Sequence, residues 1–194
     1  MLDEPRETPS VNYIAFDYRH ALTEAVDKLL DMGHRHIVFA GIIPSGNSKI
    51  QLETIQKCYT ARNIDIEYIK SVINPGIYPA EASGKAMGGY IFREHPETTA
   101  IISTADSFAY GIMYAARKSG REIPQDLSVI SCSDFSSSSY IEPALSVIYQ
   151  PRFELGKRAA AIAQKMAEGI SGEIFKEYVS TKFIDRQTTA KVNS

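Results

Sequence analysis

TAIISTADSFAYGIMYAAR, residues Thr99 to Arg117, is the stretch that decides the fold. Ala100 to Ser103 reads as a buried strand that ends in small polar residues and Asp106. From there Phe108, Ala109, Ile112, Met113 and Ala116 fall at helical spacing, so a strand gives way to a helix within a few residues. Asp106 sits at the change, where a carboxylate can accept the first free N–H groups of the helix as an N-cap. In open parallel sheets this edge is also where ligands bind, because loops and helix N-termini converge there. Capping alone explains the residue fully, so both roles stay open.

The same alternation runs outward in both directions. Upstream, Val11 to Phe16 reads as a strand with Asp17 as a turn or cap. Leu22, Ala25, Val26, Leu29 and Leu30 then mark one face of a helix that ends near Gly33. His36 to Ala40 is an apolar strand, and Leu52, Ile55, Cys58 and Tyr59 are spaced for a second helix. Glu67 to Ile73 is a strand broken by Pro75-Gly76. Pro79 suits a first helical position, with Ala82, Ala86, Tyr90 and Ile91 along one side of the helix that follows. Downstream come a strand from Leu127 to Cys132 and a serine-rich loop from Ser133 to Ser139. Ser146 to Tyr149 is extended, Gln150-Pro151 turns, and Leu155, Ala159, Ile162, Ala163 and Met166 mark the last long helix. Tyr178 to Ile184 closes as a strand. Strands alternating with helices imply βαβ units, and so an α/β fold with a Rossmann-like parallel sheet flanked by helices.

A chain of 194 residues fits one domain, or one domain and part of another, and is long enough to bury a core. Lys and Arg number 21 against 23 for Asp and Glu, so the basic footprint of a protein that grips phosphate backbones by itself is missing. Cys58 and Cys132 lie far apart and match no disulfide or metal spacing, which suits a reducing compartment. The N-terminal stretch lacks a basic region followed by an apolar one, and no apolar run is long enough to span a bilayer. A cytoplasmic location without membrane contact is therefore expected.

Chemistry-bearing motifs are few. Gly41-Ile-Ile-Pro-Ser-Gly46-Asn47-Ser48 has the glycine spacing of a phosphate-cradling loop. Asn47 stands where the lysine belongs, however, and Pro44 removes a backbone donor, so the stretch reads as a tight βα turn. His34-Arg35-His36 comes without the Cys or carboxylate cluster a metal needs, and His20 and His95 are isolated. The run Ser136 to Ser139 offers hydroxyls without a nucleophile elbow or a base, and Cys132 lies in an apolar strand. The residues therefore point away from an enzyme, and no metal or cofactor is expected.

Several phrases in register carry a family resemblance. They are Leu30-Asp-Met-Gly-His-Arg-His-Ile37, Thr99-Ala-Ile with Ala105-Asp106 and Ala109-Tyr-Gly111, and Ile123-Pro-Gln-Asp-Leu-Ser-Val-Ile130. Tyr140-Ile-Glu-Pro-Ala-Leu145, Gln150-Pro151, Leu155-Gly156 with Ala159-Ala160, and Ile184-Asp-Arg186 follow in order. From Asp17 to Thr188 the chain resembles the effector-binding region of the lac repressor-type (LacI/GalR) bacterial transcriptional regulators. That resemblance implies a type I periplasmic-binding-protein-like fold of two lobes behind a helix-turn-helix, with mainly the C-terminal lobe present here. Residues 1–10 are then an irregular lead-in or linker and 11–149 the C-terminal lobe. Residues 150–172 belong with the other lobe, and 173–194 are the return strand and tail.

In such regulators a small-molecule effector sits between the lobes. Carried over by position, Asp17 keeps a family contact and Tyr78 lies near a stacking position. Gln51 stands where a ligand-clamping Arg is usual, Ala105 where sugar binders often have Asn, and Ser133 where they have a ligand Asp, with Asp134 one place later. Asp106 either contacts ligand or holds its helix. Losing the Arg fork and the acceptor carboxylate removes the strongest charge-assisted bonds, which argues against the usual small sugar. A less polar effector, a partner protein or an unused pocket all stay open. The resemblance also implies a homodimer through Ala82, Ala86, Gly89, Tyr110, Met113 and Tyr140, with DNA reached only through a helix-turn-helix outside this sequence. A second reading is a periplasmic-type small-molecule binding protein used in transport.

Overall fold

The structure is a computed structural model that describes residues 2–3, 11–41, 46–73, 80–168 and 174–192. Pro44, Pro75-Gly76, Tyr78, Pro79 and most of the 1–10 lead-in lie outside the described residues. In chain order the elements are β1 (Tyr13–Asp17), α1 (Arg19–Asp31), β2 (Ile37–Gly41), α2 (Gly46–Ala61) and β3 (Ile69–Ile73). α3 (Ala80–Glu94), β4 (Ala100–Ser103), α4 (Asp106–Lys118), β5 (Ser128–Ser131) and β6 (Ser146–Tyr149) follow. α5 (Arg152–Ala167), β7 (Lys176–Ser180) and β8 (Lys182–Ile184) complete the set.

Two sheets organise the chain. Six strands run in the order β3-β2-β4-β5-β6-β8, all parallel except β8, which is antiparallel to β6. β1 pairs in parallel with β7 in a separate two-stranded sheet. Alternate side chains of the larger sheet enter two cores, as the two-residue period of a strand requires. Ile37, Phe39, Ala100, Ile102, Ile130 and Ile148 meet α1 and α2 on one face. Val38, Ala40, Ile101, Val129 and Val147 meet α3 and α4 on the other. Each fully buried aliphatic contributes about 1.5–3 kcal/mol.

Helix ends and contacts follow from particular residues. α1 stops because Gly33 adopts φ +93°, the left-handed conformation that closes a helix C-terminus. α3 and α4 approach until their backbones touch: a Cβ on Gly84 would lie 2.3 Å from the Phe108 carbonyl oxygen, and one on Gly111 2.2 Å from that of Glu81. His34 is buried beneath the opposite end of the sheet. Its Nδ1 bonds Thr99 Oγ1 at 3.0 Å, and its Nε2 lies 2.9 Å from the Ala190 carbonyl, fixing the C-terminal segment there.

Several expectations are corrected. β1 begins at Tyr13 and includes Asp17. Residues 66–68 form a 3-10 turn instead of strand, because the Asp65 side chain accepts the Glu67 N–H at 2.9 Å and bends the chain. The serine run Ser136–Ser139 is likewise a 3-10 turn. Tyr178 to Ile184 is two strands, divided where Thr181 donates through both N–H and Oγ1 to the Asp17 carbonyl. The chain thus passes between its two sheets at Tyr18, at Gln150-Pro151 and at Thr181. α5 lies along β1 through Leu155, Ala159 and Ile162, while Met166 stays exposed instead of completing the apolar face.

Candidate functional site

A parallel sheet has its receptive edge where the strand order reverses, because the two crossovers leave in opposite directions and open a crevice between them. Here β2 leads by α2 to β3 on one side, and α3 returns the chain to β4 on the other. The crevice therefore lies between the carboxyl ends of β2 and β4. Gly41 ends β2 against Thr104, whose Oγ1 would lie 2.0 Å from any Cβ at that glycine. Ala105 and Asp106 follow β4 directly at this edge, and Gln51 lies in the first half of α2, the helix that leaves β2 there.

Asp106 does not cap its helix. Ala105 is the N-cap residue, extended and without a side-chain cap bond, and Asp106 is the first helical residue. Its fully buried carboxylate turns to the loop after β5, where Oδ2 accepts the Phe135 N–H at 2.6 Å and the Ser138 hydroxyl at 3.2 Å. Oδ1 is buried with no hydrogen-bond partner. Gln51, 2% exposed, likewise keeps a buried Oε1 with no partner, as does Asn47 with its Oδ1. A buried acceptor without a donor costs about 1–3 kcal/mol, so these oxygens call for a donor the described residues do not supply.

The remaining candidates fall into two groups, one around Asp17 and one around Arg152. Asp17 Oδ1 accepts from the backbone and the guanidinium of Arg19 at 3.1 and 3.0 Å. The Arg19 guanidinium also stacks over the Tyr178 ring. Tyr178 shares a hydroxyl bond of 3.1 Å with Tyr13, which, with burial, pushes the Tyr13 phenol up to about 12. The Tyr18 hydroxyl accepts from Gln150 Nε2 at 2.5 Å, and its burial raises its pKa strongly. Arg152 donates to Gln150 Oε1, to Ser133 Oγ at 3.0 Å and to the Asp134 carbonyl at 2.7 Å, and it stacks on the Phe135 ring. The Asp134 carboxylate is taken up by Arg186 at 3.3 Å.

Ser133, Asp134 and Asp106 thus join through Arg152 and Phe135, whereas the Asp17 carboxylate bonds Arg19, and Gln51 lies on α2. Ala105 is half-buried in the core, and Tyr78 lies outside the described residues. Sequence reasoning missed Arg152, Arg186, Tyr18 and Phe135. Gln150-Pro151 and Ile184-Asp-Arg186 were conspicuous as phrases, but nothing in them showed a bond to the strand after β5. Cys132 is wholly buried with its thiol pushed up to about 12, so it is inert at neutral pH. No group of three or more metal-ligating side chains occurs among the described residues. Nor is any helix of them long and apolar enough to cross a membrane.

A second surface lies over α3 and α4. Ala82, Ala86 and Gly89 are exposed along α3, and Tyr140 is 86% exposed. The Tyr110 hydroxyl bonds Ser137 and Ser138 at 2.8 Å. Met113 is only 3% exposed and belongs chiefly to the core. Two grooves open here, one of about 300 Å³ lined by Ala82, Lys85, Tyr110 and Tyr114 among others, and one of about 460 Å³ reaching Arg117 and Ile141.

The periplasmic binding protein-like domain model matches residues 26–189. The HTH-type transcriptional repressor CytR of Escherichia coli K12 is 29% identical over 168 residues, covering 84% of this chain and 46% of the repressor. The chain spans about half the length of the curated relatives it matches. A dimeric Lac repressor with an 11-residue C-terminal deletion superposes with TM-score 0.85 at 25% identity, covering 99% of this chain and 68% of that one. A LacI family regulator from Enterococcus faecium with bound ribose gives TM-score 0.87 at 20% identity, covering 99% and 70%. By a match over most of its length, by homology to repressors of the LacI type and by its fold, the chain belongs to the periplasmic binding protein-like domain family.

Proposed function

We propose that this chain is the effector-sensing and dimerisation part of a LacI-type transcriptional regulator. A small molecule binds at the carboxyl edges of the strands, changes how the two sheets close on each other, and a homodimer passes that change to DNA-binding segments outside this sequence. The observation that carries the reading is the reversal of strand order between β2 and β4, with Asp106 just after β4 and Gln51 on α2 each keeping a buried acceptor oxygen without a partner among the described residues. The relatives named above are repressors, which favours a regulator over a transport protein. Asp17, Gln51, Ala105, Asp106, Ser133 and Asp134 border the effector, with Tyr78 as a further contact. Ala82, Ala86, Gly89, Tyr110, Tyr140 and the edge of Met113 form the dimer face, with Tyr140 as its anchor.

Thermal-shift screening against sugars, nucleobases and phosphorylated metabolites tests this reading. Ligand at a hundred times its Kd adds about 2.7 kcal/mol to stability. Asp17→Ala and Gln51→Leu are expected to abolish the response; an undiminished response in both variants overturns the site. Sedimentation is expected to show a dimer that Tyr140→Arg dissociates, and a wild-type monomer at all concentrations overturns the interface.

A further inference from the structure

By resemblance, this chain lacks the ligand-clamping Arg at Gln51 and the ligand carboxylate at Ser133. The structure brings a different guanidinium to the same edge. Arg152, the first residue of α5, reaches back over the crossing to Ser133 Oγ at 3.0 Å and the Asp134 carbonyl at 2.7 Å. Its face is held by the Phe135 ring 4.8 Å away, so it is aimed without being neutralised. The neighbouring carboxylates are already matched, Asp17 with Arg19 and Asp134 with Arg186. Among the described residues Arg152 has no carboxylate partner, and its Nε–H donates to none. Where related sugar sites present an acceptor, this one presents a cation, a hydroxyl and a spare donor.

We propose that Arg152 and Ser133 make this edge an anion subsite, so that the effector is a small molecule carrying a carboxylate or phosphate on a hydroxyl-bearing body. The inference rests on the effector-site reading above and names the ligand class. The anionic group takes the Arg152 Nε–H and the Ser133 hydroxyl. Hydroxyl donors on the body satisfy a buried acceptor without a partner among the described residues, such as Gln51 Oε1. Charge-assisted bonds of this kind are about twice as strong as neutral ones, so the charge sets the preference.

Calorimetric titration of the full chain with matched pairs tests this: glucose with glucose 6-phosphate and with gluconate, and ribose with ribose 5-phosphate. At least one anionic member is expected to bind at least about tenfold more tightly than its neutral partner, weakening as salt rises. Arg152→Gln removes that preference. Ser133→Asp, which sets a carboxylate beside the guanidinium, removes it too and guards against a folding defect in the first variant. Neutral sugars bound as tightly as their acids, or an anion preference that survives both variants, overturns the anion subsite while leaving the effector site standing. Absence of binding by every member of the pairs overturns the subsite, and with the broader screen also negative it overturns the effector reading as well.

Discussion

α4 and α5 are built from similar residues and have opposite fates. α4 buries eight of its thirteen residues between the six-stranded sheet and α3. α5 buries one of sixteen, Leu155, and leaves Phe153 87% exposed. The difference lies in what each rests on. Six strands with helices on both faces supply a continuous apolar layer, whereas two strands are too narrow a platform to cover a four-turn helix. Apolar periodicity in a sequence thus expresses a demand for a partner, and among the described residues the two-stranded sheet meets it at Leu155 and, in part, at Ala159 and Ile162.

The contrast can be broken most forcefully at the α3–α4 contact. Gly111→Ala is expected to cost about 3 kcal/mol, because the new methyl meets the Glu81 backbone and the helices must part. A denaturant midpoint close to wild type would show that the contact is looser than it looks. Asp106→Ala comes next, at about 1–3 kcal/mol, since it removes the acceptor of the Phe135 N–H and of the buried Ser138 hydroxyl. The loss should appear as faster amide exchange at Phe135 and Ser138.

A smaller effect is expected at His34, whose pKa burial holds below its ordinary 6.5. A base with a depressed folded pKa contributes stability that is present above the unfolded pKa of 6.5 and lost as pH falls through the lower folded value. Melting between pH 7.5 and 5 should therefore fall more steeply in wild type than in His34→Gln. The smallest effect has the opposite sign. Gly156→Ala on α5, where nothing lies within 4 Å of the new carbon, should stabilise by about 0.5–1 kcal/mol in a thermal melt.

The parts of the fold most legible in the sequence were those governed by neighbours in the chain. The change of period between Ser103 and Phe108 located β4 and α4, and Gly33 marked the end of α1, because both are local events. The role of Asp106 was not legible. A carboxylate at a helix start resembles a cap until the loop 29 residues later is seen to donate to it. Thr181 divides β7 from β8 through a bond to Asp17, 164 residues away, which no local pattern encodes. The absence of an Arg at position 51 was readable through the resemblance, whereas the bonds from Arg152 to Ser133 and Asp134 were not, since Arg152 follows a turn and points back across it.

The three crossings have a mechanical consequence. Thr181 is tied to the Asp17 carbonyl and Gln150 to the Tyr18 hydroxyl, so all three strings of backbone are knotted to one another at a common level. Translation of one sheet past the other would stretch every string at once, whereas swivelling about the line of knots stretches none. A motion of the two sheets that keeps these bonds is therefore a change of angle about the crossings, and under the proposed function an effector would act by setting that angle.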